Sequence, residues 1–430
     1  MSKVVFFTLP HFGHVNPNLG LISELVARGE SIVCYSGEQY RGVIESTGAV
    51  FRAFSINCEG VFMRHSSLVR KLFTTDTVEE KIRLLLSFSE LNLKFNRAVH
   101  LKYFDEVMEE KPDYILYDSY AFWGKTIAQR LGIPAVCCES ALVVPGSIMK
   151  TDIDYILKYV LEFTDEEIEG VSRDEISRQI NWQFRRIDKK YNIKGFNVFD
   201  YYASDQLNIV YITKELQPFS EHVDERYRYV GFEVFKAGNQ DASPLTKKRN
   251  RPLIYISRGT MLYERDFMQF YEICTEAFGG SDMQVLLTTG GNIDEGRFAK
   301  APENITVKGF VPQLEVLSKA DLFITHGGLS GVREALYYNV PMILCPHSAH
   351  HLQVSRQIES LGAGIFLKHN EINADRLKDT VNRVLSDANY KNNAARLGRS
   401  LRAAGGAVKA AEEIFKMKDN GWETKGASCI

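Results

Sequence analysis

The chain has no hydrophobic run long enough to cross a membrane. The apolar stretch near its start, Val4 to Leu9, is stopped by Pro10 and His11, well short of the roughly 20 residues a spanning helix needs and of a signal-peptide core. No stable membrane insertion is expected, and the protein is expected in the cytoplasm. Charge of one sign is also missing: 52 Lys and Arg stand against 54 Asp and Glu, a formal net charge of −2. That leaves no basic field for a nucleic acid backbone, so no nucleic acid partner is expected, and no acidic tail. The seven cysteines show no C-x-x-C spacing, which excludes a disulfide framework and a thiolate zinc site. They read as small buried hydrophobes, with Cys429 in a frayed tail. Internal repeats and low-complexity tracts are absent as well.

What is present is the composition of an ordinary globular protein, 45% hydrophobic and 25% charged, over 430 residues, which predicts two or three domains. Lys3 to Leu9 is β-rich and leads through Pro10-His11-Phe12-Gly13-His14 to Asn16-Pro17, read as the cap and first position of a helix. Leu19, Ile22, Leu25 and Val26 recur at helical spacing, and Gly29 ends the segment. Further apolar runs, Ser31 to Tyr35, Val50 to Phe54, Tyr114 to Tyr117 and Ala135 to Cys138, alternate with helical stretches such as Val78 to Glu110. This is the pattern of a parallel sheet covered by helices. Lys236 to Arg251 is polar, contains Gly and Pro, and reads as a linker. The alternation then resumes with Leu253 to Ile256, Val285 to Leu287, Leu322 to Ile324 and Met342 to Leu344. The expected class is α/β: two doubly wound, Rossmann-like domains, residues 1–235 and 252–405, facing across a cleft, with 406–430 as a C-terminal helix packing back across the domains. In such sheets ligands lie beyond the carboxyl ends of the strands, so the loops after Leu9, Tyr117, Ile256, Ile324 and Leu344 are the places to look. Six of the ten histidines, His11, His14, His326, His347, His350 and His351, fall near expected strand ends.

The most specific stretch is Gly309 to Gln357. In its centre, strand Leu322 to Ile324 runs into His326-Gly327-Gly328, and a helix starts near Ser330. Glycines allow a polyanion close to the backbone, the helix start offers free N–H groups and a positive dipole end, and His326 can add a donor. Read alone, the loop is equally a tight strand-to-helix turn. The ordered set Phe310-Val311-Pro312-Gln313, Val316-Leu317, His326-Gly327-Gly328, Glu334, Val340-Pro341 and Pro346 resembles the nucleotide-sugar signature of the UDP-glycosyltransferases of the GT-B fold. Gly13-His14-Val15-Asn16-Pro17 resembles the matching region of their bacterial macrolide and natural-product branch. The resemblance spans nearly the whole chain and includes Ile256-Ser257-Arg258-Gly259-Thr260.

The resemblance implies that Phe310 stacks on uracil, that the Val311 backbone pairs with it, and that Gln313 and Glu334 contact the ribose. Phe310 and Val311 also read as core residues at a strand end. His326, Ser257 and Thr260 would hold the diphosphate, with Gly13, Gly259, Gly328, Ser330 and Gly331 in the same donor set. An acceptor hydroxyl must lose its proton as it attacks the anomeric carbon, and an imidazole, with an ordinary pKa of about 6.5, can take it at neutral pH. His14 is the expected base, oriented by Asp118 as the resemblance implies. Alone, a His before a helix is also a turn or cap residue. His11 is a nearby competitor that does not match the family's base.

The chain departs from the family pattern where an acid and Gln usually hold the donor sugar: His350 and His351 stand there, and an imidazole cannot make a carboxylate's bidentate contacts. Ser330-Gly331 replaces a frequent Asn-Ser pair, Phe310 stands where Trp is frequent, and Arg258 replaces an apolar residue. Arg258 is read either as extra positive charge at the diphosphate or as the partner of a surface acid. His347, His350 and His351 have spacings a metal could use, but no carboxylate or thiolate accompanies them, and no metal is expected. Asp152-Ile153-Asp154 resembles a metal-binding D-x-D but reads as a solvated helix start. Gly124-Lys125-Thr126 lacks the first glycine of a P-loop. The resemblance implies that aromatic and apolar residues of the first half, Phe62, Phe73, Phe88, Phe95, Val143, Met149 and Tyr155, together with Phe12 and Phe122, line an acceptor pocket, although many of them also read as helix core.

The resulting expectation is an inverting, metal-independent glycosyltransferase without a resident cofactor, monomeric or weakly dimeric. It would move sugar from a UDP-sugar, or a TDP-sugar, to a hydroxyl of a small hydrophobic product such as a polyphenol or macrolide. The alternatives are a UDP-sugar epimerase of the same fold, which needs no acceptor, and a catalytically weak binding or self-resistance protein.

Overall fold

The computed structural model describes residues 1–54, 77–145, 152–160, 172–191, 205–235, 250–259, 264–291 and 293–422, with a few single positions between these ranges. The chain divides into two compact units, Met1–Phe235 with Ala404–Ile430, and Lys236–Ala403.

The first unit is built on a seven-stranded sheet of order β3-β2-β1-β4-β5-β6-β7. Its strands are β1 (Lys3–Phe7), β2 (Ser31–Ser36), β3 (Val50–Ala53), β4 (Tyr114–Asp118), β5 (Ala135–Glu139), β6 (Leu207–Val210) and β7 (Tyr227–Tyr229). Every pair is parallel; Phe6 of β1 lies beside Cys34 on one side and Leu116 on the other. Side chains alternate across a strand, and both faces of β1 are buried: Val4 and Phe6 enter one core with Leu19 and Ile22, while Val5 and Phe7 enter another with Tyr35 and Trp123. That two-sided burial is why β1 reads as a continuous apolar run.

The helix after β1 corrects the expected Asn16-Pro17 start. It spans Phe12–Ala27 with His11 at the cap position and Pro17 inside. The N–H groups of His14 and Val15 both reach the His11 carbonyl, closing a turn ahead of the proline. Pro17 lacks the N–H that would bond back to Gly13, so it costs one bond without ending the helix. Asn18 Nδ2 donates to the His14 carbonyl at 2.6 Å, and Asn18 Oδ1 accepts from the Tyr211 hydroxyl at 2.7 Å. This first turn, which carries His14, is thereby tied to the segment after β6.

The last helix, Gly406–Asp419, belongs to the first unit. Ala410, Ala411 and Ile414 share the core of Leu21, Ile22 and Leu25, and a Cβ on Gly20 would stand 3.3 Å from Ala407 Cβ, so the two helices meet closely there. Gly406 N–H donates to the Val230 carbonyl at 2.7 Å.

The second unit carries a six-stranded sheet of order β10-β9-β8-β11-β12-β13. Its strands are β8 (Leu253–Ser257), β9 (Gln284–Thr288), β10 (Ile305–Lys308), β11 (Leu322–Thr325), β12 (Met342–Leu344) and β13 (Gly364–Phe366), again all parallel. Among the described residues no helix is long and apolar enough to cross a membrane.

Candidate active site

In the first unit the adjacent strands β1, β4 and β5 deliver three residues to one place. His14 Nδ1 lies 2.9 Å from Asp118 Oδ1, and Ser140 Oγ lies 2.8 Å from the same nitrogen. Asp118 is the last residue of β4 and is 0% exposed; its Oδ1 also accepts from the Tyr120 N–H at 3.0 Å. With the proton on Nδ1 the imidazole donates to this carboxylate, which leaves Nε2 as the basic nitrogen. The Tyr120 ring meets the His14 ring edge-on at 4.9 Å. Ser140 and Tyr120 were not singled out in the sequence; each lies within three residues of an expected strand end, and that is the only signal they carry.

Two titrating groups border this cluster. Burial, reinforced by His14, pushes the His11 imidazole down to about 4, so His11 is neutral at pH 7. Burial raises the Glu139 carboxyl to about 7, with hydrogen bonds from Ser119 and Cys137 and the charge of Asp118 acting on it as well.

Gly13, of the expected donor set, has open space where a side chain would be. The acceptor candidates separate. Phe12 is exposed, and Phe88 is half-buried on the Val78–Glu110 helix. Phe122 is 2% exposed and packed with Ile82, Leu86 and Leu93, which corrects its reading as a pocket residue: it is core. Phe95, Val143 and Tyr155 are buried as well. Phe62, Phe73 and Met149 lie outside the described residues. Asp152 caps the turn at Ile153 by accepting from the Tyr155 N–H, and Asp154 pairs with Arg173, so the D-x-D is a helix start. Lys125 is buried 3.7 Å from Asp205, an internal role with no loop for a phosphate.

In the second unit β8 and β11 are neighbours, with Ser257 beside Thr325, and this sets the glycine turns around His326. Gly259 has φ +86°, and a Cβ there would stand 3.0 Å from His326 Cε1. A Cβ on Gly328 would stand 2.5 Å from His326 Nε2. Both glycines are therefore required by the ring between them. Gly328 is the cap residue of the Leu329–Tyr337 helix, whose first-turn N–H groups at Leu329, Ser330 and Gly331 make an anion site in the general sense. No acidic residue occupies that first turn.

Glu334, on the same helix, is 1% exposed and accepts from Gln313 Nε2 at 2.5 Å and from Ser330 Oγ at 3.4 Å. The Tyr255 hydroxyl donates to Gln313 Oε1 at 3.0 Å. Gln313 and Glu334 are thus one oriented pair. Phe310 is 70% exposed, and its ring lies over Gly291, where a Cβ would collide with it; Val311 is half-buried. Thr260 lies outside the described residues.

Arg258 is buried, which departs from the reading as partner of a surface acid, while its charge reaches His326. It is 7% exposed, its guanidinium lies 4.5 Å from the centre of the Phe270 ring, and its Nε has no hydrogen-bond partner among the described residues. The side chain turns into the unit because Phe270, in the helix after β8, offers a ring face to stack on.

His350 and His351 are not equivalent. His351 packs edge-on against His326 at 4.5 Å and His347 at 4.6 Å, while its ring centre lies 6.0 Å from that of His350. Burial holds the pKa values of His326 and His351 well below the ordinary histidine range, with the neighbouring histidines and Arg258 acting in the same direction.

Residues 274–415 match the family described as erythromycin biosynthesis protein CIII-like, C-terminal domain. The UDP-glucosyltransferase YojK of Bacillus subtilis (strain 168), itself named as uncharacterized, is 31% identical over 417 residues, covering 97% of each chain. The demethyllactenocin mycarosyltransferase of Streptomyces fradiae is 27% identical over 426 residues, covering 96% of this chain and 86% of that one. The crystal structure of CalG4, the calicheamicin glycosyltransferase, superposes with a TM-score of 0.76 at 22% identity, covering 98% and 99% of the two chains, and shares the fold. With two parallel doubly wound sheets and a relative at 31% identity over 97% of each chain, the chain belongs to the glycosyltransferases and has their GT-B fold.

Proposed function

We propose that the enzyme transfers a sugar, with inversion, from a UDP-sugar or TDP-sugar to a hydroxyl of a small hydrophobic natural product such as a polyphenol or macrolide. The observation that carries this reading is the 2.9 Å pairing of His14 Nδ1 with the buried Asp118 carboxylate. His14 takes the acceptor proton on Nε2 as the oxygen attacks the anomeric carbon. Asp118 holds the tautomer and stabilises the imidazolium that forms. Attack from the side opposite the leaving diphosphate inverts the anomeric centre. The departing charge is met by the N–H groups at the start of the Leu329–Tyr337 helix and by His326. Gln313 and Glu334 take the ribose hydroxyls, and Phe310 stacks on the base. The step calls for no resident cofactor, and the setting is a cytoplasmic monomer or weak dimer.

The name of the Bacillus subtilis relative supports a uridine nucleotide, and that of the Streptomyces fradiae relative supports a small-molecule acceptor of the demethyllactenocin kind. The test is mass spectrometry of reactions pairing UDP- and TDP-sugars with phenolic and macrolide acceptors. Acceptor-dependent nucleotide release with a mass gain of one sugar is the expected result. A donor converted without any acceptor would point to an epimerase, and tight acceptor binding with no turnover to a binding protein.

A further inference from the structure

Three histidines of the second unit come from separate points in the chain and meet because of the sheet register. His326 follows β11, His347 lies just beyond β12, and His351 sits in the first turn of the Ala349–Ser360 helix. Strands β11 and β12 are hydrogen-bonded neighbours with Thr325 beside Leu344, and the Cys345 N–H donates to the Thr325 carbonyl at 2.7 Å, so both strands release their loops side by side. Ser348 caps the helix by accepting from the His351 N–H at 3.3 Å, which fixes where that side chain leaves the backbone. Each of the three rings offers one nitrogen, and these nitrogens all lie within 4.8 Å of one another.

We infer that His326, His347 and His351 form a binding site for a divalent transition-metal ion of the zinc, cobalt or nickel type.

Three imidazoles suit such borderline ions, whereas magnesium and calcium demand oxygen ligands, which this cluster does not supply. Nitrogens bound to one tetrahedral zinc stand about 3.4 Å apart, so closing onto an ion takes ring movements of about 1 Å and no rearrangement of the sheet. The rings packing on one another as a plain aromatic cluster is the competing account. It leaves His351 Nδ1 buried with no hydrogen-bond partner among the described residues, a cost that a coordinated ion removes. His350 is next to His351 in sequence and is not one of the three. The grouping differs from the His347, His350, His351 spacing visible in the sequence because His351 turns toward His326. With three protein ligands the ion keeps an open position for water or an anionic oxygen. The ligand set does not rest on the proposed function. In the ion-bound form the ion stands between His326 and any donor diphosphate, in place of the direct contact proposed above, and that placement alone rests on the proposed function.

The test uses full-length, tag-free protein stripped with EDTA and titrated calorimetrically with Zn2+ and Co2+ in the absence of nucleotide, so that failure of the donor assignment leaves it intact. One ion per chain is expected. His347→Ala and His351→Ala should each weaken binding about 10-fold or more, while His350→Ala binds like the wild type. Circular dichroism melts report whether the variants fold. As a measurement that needs no variant, Co2+ bound to the wild type should develop the visible absorption of a nitrogen-rich site of low coordination number. No saturable binding at one ion per chain, wild-type affinity in His347→Ala, a loss in His350→Ala instead, or a Co2+ spectrum like that of the hydrated ion would each overturn the inference.

Discussion

Asp118 Oδ1 lies 2.9 Å from His14 Nδ1, while Asp118 Oδ2 is buried with no hydrogen-bond partner among the described residues. A carboxylate removed from water with one oxygen unpartnered is placed to hold the imidazolium that forms when His14 takes a proton. Asp118→Asn keeps the shape and removes the charge. We expect it to lower kcat by about 10²- to 10⁴-fold with little change in donor KM, measured by steady-state kinetics. Unchanged kcat would remove Asp118 from the mechanism.

His14→Ala deletes the base outright. Transfer should become undetectable while UDP affinity, measured by calorimetry, stays nearly the same, because the nucleotide contacts are assigned to the second unit. Retained turnover would show that another group, with His11 the nearest imidazole, takes the proton.

Glu334 is nearly inaccessible and oriented by Gln313. Glu334→Gln replaces the accepting carboxyl with an amide, and losing a buried hydrogen-bond partner costs about 1–3 kcal/mol. The dissociation constant for UDP should rise roughly 10- to 100-fold. An unaltered constant would place the ribose elsewhere.

Among the described residues of the proposed donor set Phe310 is the most exposed, 70% accessible, so truncation removes little of the core. Phe310→Ala should change unfolding free energy by no more than about 0.5 kcal/mol yet weaken nucleotide binding by about 1 kcal/mol or more through lost stacking. A large fall in stability with unchanged nucleotide affinity would reverse the assignment.

Glu139 predicts a pH dependence of stability. Its carboxyl is raised from 4.5 to about 7, so the folded state binds a proton more tightly than the unfolded state. The resulting stabilisation is present below about 4.5 and is lost as pH rises through 7. Glu139→Gln cannot ionise. Relative to the wild type it should gain roughly 1–3 kcal/mol between pH 4.5 and pH 8, read from denaturant unfolding at several pH values. Parallel profiles for the two proteins would mean that the carboxyl titrates normally. The His11 shift acts in the opposite sense, lowering stability as pH falls from 6.5 toward 4, and is common to both proteins.

The two-sheet architecture was legible because doubly buried strands such as Lys3–Phe7 and Leu322–Thr325 are dense apolar runs separated by helical periodicity. Strands β6, β7, β10 and β13 went unnoticed. They are three or four residues long, and Tyr227–Tyr229, at the sheet edge, has an arginine in its centre, so no period can be read from them. The start of the first helix was misplaced because Asn16-Pro17 is a good local start signal, and only the His11 carbonyl, bonded twice, shows that a turn had already formed.

The sequence by itself determined the fold class, the family and the order of the glycine-rich and histidine-bearing loops, because these follow from local periodicity and from motifs contiguous in the chain. Only the tertiary structure decided that Ser140 shares a nitrogen with Asp118, that Arg258 stacks inward on Phe270, and that His351 faces His326 and His347. The reason is physical. Strand order and register bring together residues far apart in the chain, and a side chain's direction is set by what packs around it, which the residue's own sequence neighbourhood does not encode.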